Sequence, residues 1–183
     1  MDPRDAVELI RAAVPGGGGP AAWADIGAGR GTFTAALARL LGPGSRIYAV
    51  ERDARSLAAL GRRREWSGAR VIPVDADFSR PFELPGLDPG GLDGMLLANA
   101  LHFARDAGVV LARLATRVRP GGRVVLVEYD RRRAGPWVPY PIPPAGLPAL
   151  ADAAGLTAFR VVATRPSDYS GVLYAAAADR RTA

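Results

Sequence analysis

Apolar residues recur along the chain in two spacings that alternate from its beginning to its end. Short apolar runs, typical of buried β-strands, occupy residues 21–26, 46–50, 70–74, 94–100, 123–129, 157–164 and 171–178. Between them, apolar residues three and four positions apart predict amphipathic helices over residues 5–14, 31–41, 53–65, 106–118 and 147–156. This alternation predicts an α/β fold with one open, mainly parallel sheet and helices on both of its faces.

Proline and glycine refine that arrangement. Pro73 lies within the third predicted strand and indicates an edge position, because proline cannot donate a hydrogen bond to a neighbouring strand. Six residues, RPSDYS, join the last two predicted strands, and so short a connection permits only an antiparallel pair. We expect a single domain over residues 1–183, with an N-terminal helix and glycine-rich linker in residues 1–20 and a proline-rich loop in residues 131–148.

The composition excludes several classes of protein. About half of the residues (49%) are apolar, which argues against a disordered chain, and no apolar run approaches the length of a membrane span. Cysteine is absent and one histidine is present, so disulfides, thiolate metal sites and multi-histidine metal sites are not expected. The first residues do not resemble a signal peptide. We therefore expect a cytoplasmic enzyme or binding protein without a metal and without contact to a membrane.

The formal net charge of +6 allows two interpretations. One is binding to a polyanion such as RNA. The other is a coding bias, because all 24 basic residues are arginine and the chain is also rich in glycine and proline. The arginines are spread along the chain rather than clustered. We therefore favour the second interpretation, which indicates a GC-rich bacterial source, and keep nucleic acid as an alternative partner.

A glycine-rich turn follows the first predicted strand. Gly27, Gly29 and Gly31 lie two residues apart, and Gly31 opens the next helix, whose N-terminal amides favour a negative group. The spacing G-x-G-x-G differs from the G-x-G-x-x-G of dinucleotide-binding proteins. Asp25 precedes the turn and favours a ligand with an ammonium group, and Glu51 at the end of the second strand can accept bonds from ribose hydroxyls. S-adenosylmethionine carries a cation, a carboxylate and a ribose, whereas the turn argues against a nicotinamide oxidoreductase.

Five motifs in order, DIGAGRG, AVERD, ADF, LLANALHF and RPGGRVVLVEYD, resemble those of the class I S-adenosylmethionine-dependent methyltransferases. The resemblance covers nearly the whole chain and is closest to the small single-domain bacterial type. It implies a Rossmann-like sheet of seven strands in the order 3-2-1-4-5-7-6 with strand 7 antiparallel. It also implies S-adenosylmethionine as cofactor and S-adenosylhomocysteine as product.

The resemblance assigns cofactor-binding roles residue by residue. It implies that the glycine turn binds the methionine end of S-adenosylmethionine and that Glu51 binds the ribose. An acid after the third strand is implied to bind the adenine. Asp75 and Asp77 both qualify for that acid, and we favour Asp77 because Phe78 follows it. The residues implied to bind the cofactor are Asp25, Gly27, Ala28, Gly29, Gly31, Glu51, Arg52, Asp77, Phe78, Asn99 and Ala100.

The methyl acceptor is expected over the fourth and fifth strands. His102 is the candidate catalytic residue, as a base or as a group that orients the acceptor, and its alternative role is packing. The candidate substrate-binding residues are Glu128, Tyr129, Trp137 and Tyr140. Amino methyltransferases carry an Asn/Asp-Pro-Pro motif at this place, but no proline follows Asn99 here, so that activity is not predicted. Arsenic methylation relies on cysteines in its family and is not predicted either, because the chain has none.

We expect a small-molecule acceptor and a monomer or homodimer. An RNA methyltransferase and a non-catalytic cofactor-binding subunit of a larger assembly are the alternatives.

Overall fold

The computed structural model describes residues 1–16, 19–62, 66–130, 133–167 and 171–182. Its helices are α1 (Pro3–Ile10), α2 (Thr32–Leu41), α3 (Ala54–Arg62), α4 (Ala107–Ala115) and α5 (Leu147–Ala153). Its strands are β1 (Ala22–Ile26), β2 (Arg46–Glu51), β3 (Arg70–Asp75), β4 (Leu92–Ala98), β5 (Val118–Tyr129), β6 (Arg160–Pro166) and β7 (Val172–Asp179). Short 3₁₀ helices cover Leu101–Phe103 and Pro144–Gly146. Strands and helices alternate as the sequence pattern predicts.

Within the described residues, the seven strands form one sheet in the order β3-β2-β1-β4-β5-β7-β6. Strand β1 lies between β2 and β4 and is parallel to both, and β7 is antiparallel to β5 and to β6. The predicted strand order and the antiparallel seventh strand are confirmed. The edge position of β3 is confirmed as well, and Pro73 is exposed there. The order reverses between β1 and β4, so the carboxyl ends of these strands border the crevice where such sheets bind ligands.

Alternate residues of the central strands pack on opposite faces of the sheet. Met95 and Leu97 of β4 join a core with α4 and α5, whereas Leu96 and Ala98 join a core with α1, α2 and α3. Both faces of β4 and β5 are therefore apolar, as expected for central parallel strands. The doubly wound Rossmann-like fold, with helices on both faces, is confirmed.

Trp23 and Gly94 show how closely the central strands pack. They are opposite each other in the parallel pair of β1 and β4. A Cβ atom at Gly94 would lie 2.3 Å from Cζ2 of Trp23. The buried indole therefore occupies the space that a side chain at position 94 would need.

Several element boundaries differ from the predicted ones. Helix α1 ends at Ile10 rather than at residue 14, although Val14 remains buried. Strand β4 ends at Ala98 because Asn99 adopts a left-handed conformation with a φ of 52°. Strand β5 begins at Val118 rather than at residue 123. Strand β6 spans Arg160–Pro166 instead of residues 157–164.

Some predicted features lie outside the described residues. These are the centre of the glycine-rich linker (17–18), the predicted end of α3 (63–65), the first two residues of the proline-rich loop (131–132) and half of the connection between β6 and β7 (168–170). In the part of the chain that the structure describes, no helix has the length and apolar character needed to cross a membrane.

Candidate active site

The glycine turn places the backbone of residues 27–29 at the carboxyl end of β1. The amides of Gly27 and Ala28 donate to the carbonyl oxygen of Val50 in β2, at 2.9 and 3.0 Å. Gly27 has a φ of 73°, and a Cβ atom there would lie 2.8 Å from Cβ of Ala100. Only glycine therefore fits between the turn and the segment that follows β4.

Asp25 is a buried carboxylate next to this turn. Its Oδ2 atom accepts a hydrogen bond of 2.6 Å from the hydroxyl of Thr34, on the first turn of α2. Burial raises the pKa of Asp25 to about 7, and the nearby charge of Glu51 raises it further, while the Thr34 bond opposes both. A cation brought close to Asp25 would favour its ionised form and offset the cost of its burial.

Glu51 is the last residue of β2, and backbone amides donate hydrogen bonds to both oxygens of its carboxylate. Oε2 accepts a 2.8 Å bond from the amide of Gly29, and Oε1 accepts 2.8 Å bonds from the amides of Arg52 and Asp53. These bonds fix the carboxylate beside the glycine turn. Oε1 already accepts two bonds, whereas Oε2 accepts one and keeps a second lone pair, with which it can accept a hydrogen bond from a ligand.

Two cavities open at this edge of the sheet. The Glu51 cavity, of about 240 Å³, is lined by Gly27, Glu51, Arg52, Ala76, Asp77, Phe78, Ser79, Asn99, Ala100, Phe103 and Ala104. The Asp25 cavity, of about 250 Å³, is lined by Met1, Asp25, Gly27, Ala28, Gly29, Arg30, Thr32, Phe33, Ala98, Asn99, Tyr129, Ser167 and Leu173. Gly27 and Asn99 line both cavities. The two cavities therefore adjoin at these residues, along the carboxyl ends of the central strands, and we refer to them together as the cleft.

Asn99 stands at this junction with an unsatisfied polar atom. Its backbone N–H donates a 2.8 Å hydrogen bond to the carbonyl oxygen of Val127 in β5. Its left-handed backbone conformation turns the chain out of the sheet. Its Oδ1 atom is buried and has no hydrogen-bond partner among the described residues. A buried acceptor without a partner costs about 1–3 kcal/mol. A ligand that donates a hydrogen bond at the junction would remove this cost.

The structure separates the two acids considered for the adenine end. Asp77 lines the Glu51 cavity, whereas Asp75 pairs in register with Glu51 as the last residue of β3 and is not among the lining residues. The side chain and amide of Ser79 both donate to Oδ1 of Asp77, at 2.7 and 2.9 Å. These bonds lower the pKa of Asp77, and Arg52, at 3.4 Å from its Oδ2 atom, acts in the same direction.

Two of the predicted site residues have structural contacts instead. Gly31 has a φ of 86°, and a Cβ atom there would lie 2.6 Å from Cδ2 of Leu60. It lets the start of α2 pack against α3 and lines neither cavity. Glu128 was predicted to contact the substrate, but it is fully buried and lines neither cavity. Its carboxylate binds His102 instead.

His102 also lies behind the cleft rather than in its lining. Its side chain is almost fully buried, and Nδ1 lies 2.5 Å from Oε2 of Glu128. Its ring centroid is 4.5 Å from that of Phe103 and 6.1 Å from that of Tyr129. Phe103 lines the Glu51 cavity and Tyr129 lines the Asp25 cavity. His102 thus supports one lining residue of each cavity.

The other two predicted substrate residues lie on the proline-rich loop. The side chain of Trp137 is 83% exposed, and Tyr140 is 42% exposed. Neither residue lines the two cavities. The loop is nevertheless tied to the site, because the amide of Tyr140 donates a 3.0 Å bond to the carbonyl oxygen of His102.

Sequence reasoning missed several lining residues. Phe103, which is half exposed, follows His102 in the LLANALHF motif and could have been inferred from its place after β4. Arg30 lies within the glycine turn itself. Thr34 was missed as well, although it lines neither cavity: it follows Gly31 by three residues, and its hydroxyl on the first turn of α2 reaches back to Asp25. Ser167 and Leu173 come from the far end of the chain, and no local pattern indicates their approach.

The fold and the cleft define a Rossmann-like class I methyltransferase domain. The sequence profile of a family described as "Methyltransferase domain" matches residues 24–124, just over half of the chain. The chain therefore belongs to this methyltransferase family, which confirms the resemblance found in the sequence.

Solved structures agree with this assignment. The 1,6-didemethyltoxoflavin-N1-methyltransferase of Burkholderia thailandensis, with bound 1,6-didemethyltoxoflavin and S-adenosylhomocysteine, is 28% identical with a TM-score of 0.68, over 99% of this chain and 78% of that one. The arsenic(III) S-adenosylmethionine methyltransferase of Chlamydomonas reinhardtii is 17% identical with a TM-score of 0.72, over 98% of this chain and 73% of that one. The second likeness shows the fold alone.

Two curated proteins match parts of the chain. A highly reducing polyketide synthase of Aspergillus luteorubrus is 42% identical over 65 residues, which are 36% of this chain and 2% of the synthase. An uncharacterized 37.1 kDa protein in a transposon of Streptomyces fradiae is 28% identical over 106 residues, which are 58% of this chain and 29% of that protein. The chain thus matches only a minor part of each of these relatives.

Proposed function

We propose that this protein transfers a methyl group from S-adenosylmethionine to a small-molecule acceptor. The observation that carries the proposal is the cleft formed by the two cavities. It has an acid at each end, Glu51 and Asp25, a glycine turn between them, and the unsatisfied Oδ1 atom of Asn99 at its middle.

The residues present fit this cofactor. Gly27 lines both cavities, and its missing Cβ lets the turn lie directly against Ala100, so that the two together form part of the wall of the Glu51 cavity. Oε2 of Glu51 can still accept a hydrogen bond from a ribose hydroxyl, and Asp77 and Phe78 line the same cavity on the side expected for adenine. In the Asp25 cavity the buried acid can face an ammonium group. An acid therefore stands in each cavity, Glu51 for the ribose hydroxyls and Asp25 for the ammonium group.

When bound, S-adenosylmethionine supplies an electrophilic methyl group on its sulfonium sulfur. The contribution expected of the protein is to orient the acceptor and to exclude water, which can account for much of the rate. Asn99 lies at the junction of the two cavities, where the two reactants would have to meet, and Ala100 lines the Glu51 cavity beside it. His102 and Glu128 lie behind this junction, and we assign them the role of positioning the residues that line it.

The proposal of a small acceptor rests on the cleft and on a relative. The Burkholderia thailandensis enzyme, which this chain covers over 78% of its length, was solved with a small heterocycle bound. The net charge of +6 is the argument for RNA as the alternative, but arginines in several parts of the fold pair with carboxylates, among them Arg11, Arg46, Arg119, Arg123, Arg165 and Arg181. Such pairs reduce the positive potential that a phosphate backbone would meet.

Calorimetric titration of the purified protein tests the cofactor first. We expect micromolar binding of S-adenosylmethionine and S-adenosylhomocysteine and no binding of NAD. Binding of NAD alone would overturn the proposal. Where cofactor binds, release of S-adenosylhomocysteine in the presence of a panel of phenols, amines and heterocycles identifies the acceptor. Turnover with RNA alone, lost at raised salt, would replace the small acceptor by the nucleic-acid alternative.

A further inference from the structure

A third cavity lies on the side of the sheet that α4 and α5 cover. It is a shallow groove of about 310 Å³ that opens to solvent between these helices and the proline-rich loop. It is lined by Gly108, Pro141, Ile142, Pro143, Gly146, Ala149, Leu150 and Ala153. None of these eight residues carries a polar side chain, and we call the cavity the apolar groove.

Two segments, residues 103–109 and 137–141, lead from the cleft to the apolar groove. On the first, Phe103 lines the Glu51 cavity and Gly108 lines the apolar groove five residues later. On the second, the backbone N–H of Tyr140 donates a 3.0 Å hydrogen bond to the carbonyl oxygen of His102, and Pro141 in the groove is the next residue. The apolar groove is therefore continuous with the proposed methyl-transfer site on both of these segments.

Exposed apolar side chains are concentrated on the same two segments. Among the described residues, six large apolar side chains are exposed, and four of them belong to these segments: Phe103, Val109, Trp137 and Tyr140. Exposed apolar residues that are scattered singly need no explanation, whereas a cluster marks a binding surface. The cluster extends the apolar surface of the groove toward the cleft.

The wall of the apolar groove is held in place by hydrogen bonds. The hydroxyl of Tyr174 on β7 donates a 2.6 Å bond to the carbonyl oxygen of Ile142. The rings of Pro141 and Pro143 restrict the backbone on either side of Ile142. A ligand therefore meets a wall that is already ordered, which lowers the entropic cost of binding.

Gly108 keeps the floor of the apolar groove free of a side chain. It lies within α4, where glycine is less favourable than alanine. A Cβ atom at this position would lie 3.4 Å from Cβ of Ala153, which is an ordinary contact, so the packing of α4 on α5 does not require glycine. What a larger residue would remove is the space between the two helices.

We propose that the apolar groove binds an apolar tail of the methyl acceptor, whose reacting polar group lies in the cleft near Asn99. This inference rests on the proposed function and defines the acceptor as an elongated molecule with one polar end and an alkyl or aryl tail. The buried Oδ1 atom of Asn99 can accept a hydrogen bond from the polar end. The continuity of the groove with the cleft favours such an acceptor over a second copy of this chain as the occupant.

Phenol and p-hexylphenol differ in the tail alone and test the assignment. In an amide NMR titration of the protein with S-adenosylhomocysteine, we expect both compounds to shift the signal of Phe103. Only p-hexylphenol should shift the signals of Gly108 and Leu150. It should also bind at least about tenfold more tightly than phenol, which is well below the value of about fourfold per methylene for complete burial because the groove is open.

Two variants and a matched control locate the tail. Gly108→Leu fills the groove, since a Cβ atom there points toward Ala153, and Ala149→Glu places a charge on its exposed wall. Each should bring the affinity for p-hexylphenol to within about twofold of the affinity for phenol. Gly61→Leu makes the same exchange in α3, where no atom lies within 4 Å of an added Cβ, and should keep the tenfold difference. The Tm of each variant establishes that the fold is intact.

The outcomes separate this inference from the proposed function. If the unaltered protein binds S-adenosylhomocysteine but p-hexylphenol does not shift Gly108, or binds no more tightly than phenol, the inference is wrong and the proposed function stands. A dimer in sedimentation velocity that Ala149→Glu dissociates would assign the groove to a second copy of the chain and overturn the inference as well. Failure to bind S-adenosylhomocysteine would overturn both proposals. A gain from the tail that Gly108→Leu removes and Gly61→Leu keeps would establish the inference.

Discussion

Glu128 on β5 holds both the ring and the backbone of His102. Oε2 lies 2.5 Å from Nδ1 of the imidazole, and Oε1 accepts a 3.2 Å bond from the amide of the same residue. Both side chains are buried, and burial raises the pKa of Glu128 while its bonds to His102 oppose that rise. The pair thereby anchors the short helix Leu101–Phe103, which directly follows the cleft residues Asn99 and Ala100.

We predict that breaking this pair destabilises the fold. Glu128→Ala leaves a buried imidazole without its partner and should lower the free energy of unfolding by about 3 kcal/mol. Glu128→Gln keeps the shape and one acceptor oxygen, and should cost only about 1 kcal/mol. Urea unfolding of Glu128→Ala, His102→Ala and the double variant measures the coupling, which should exceed about 1 kcal/mol. Additive effects would show that the two residues stabilise the fold independently.

Once an acceptor is known, glutamine variants of the two residues separate a positioning role of His102 from a direct role in the chemistry. If His102 acts by supporting Phe103 and Tyr129, then Glu128→Gln and His102→Gln should change KM more than kcat. The pH profile of kcat should also keep its shape. A large fall in kcat with an altered pH profile in His102→Gln alone would instead make His102 a base in contact with the acceptor.

Glu51 and Asp75 offer a matched pair of acids for the cofactor site. They are opposite each other in the parallel pair of β2 and β3, but only Glu51 lines the cleft. Glu51→Gln replaces one acceptor oxygen by a donor, so we expect affinity for S-adenosylhomocysteine to fall at least tenfold, or about 1.4 kcal/mol. Asp75→Asn should leave the affinity unchanged. Equal behaviour of the two variants in titration calorimetry would remove the ribose role of Glu51.

Gly94 gives a test of the fold that does not involve the site. Because a Cβ atom at this position would collide with the ring of Trp23, Gly94→Ala should lower the free energy of unfolding by about 1–3 kcal/mol. Gly90 precedes the same strand with no atom within 4 Å of an added Cβ. Gly90→Ala should therefore be nearly neutral. A neutral Gly94→Ala in the same urea titrations would mean that the two strands separate more easily than their register indicates.

The sequence predicted the parts of the site that lie on strand ends and in the glycine turn. Asp25, Gly27, Glu51 and Asn99 lie at or just after the ends of strands with clear apolar patterns, so their meeting at one edge of the sheet follows from topology. Such a pattern does not predict whether a side chain at the end of a strand faces the cleft or the core.

Glu128 illustrates the limit of these predictions. It is the penultimate residue of β5, whereas Glu51 is the last residue of β2, and its side chain enters the core, where it binds Nδ1 of His102. Gly31 belongs to the same motif as Gly27, yet its missing Cβ serves the packing of α2 on Leu60. The distinction depends on neighbours far apart in the chain, which local spacing does not report.

Asp25 makes stability and ligand binding depend on pH in opposite directions. Its pKa is raised from 3.8 to about 7 by burial, so between these values the folded chain keeps a proton that the unfolded chain releases. The free energy of unfolding should therefore fall as the pH rises from about 4 to about 7, by at most about 1.4 kcal/mol per pH unit. Below that window both states are protonated, and above it both are ionised. The Asp25→Asn variant lacks this pH dependence of the free energy of unfolding. Glu128 is present in both proteins, so its contribution cancels when the two pH profiles are subtracted.

A bound ammonium group favours the ionised form of Asp25, so affinity for S-adenosylhomocysteine should rise with pH up to about 7 and then level off. In Asp25→Asn the affinity should be lower at neutral pH and nearly constant over this window. Urea unfolding and calorimetry of the two proteins at matched pH values measure both slopes. Parallel curves for the two proteins would show that Asp25 is already ionised in the folded chain, and its burial would then have to be compensated by Thr34 and the turn alone.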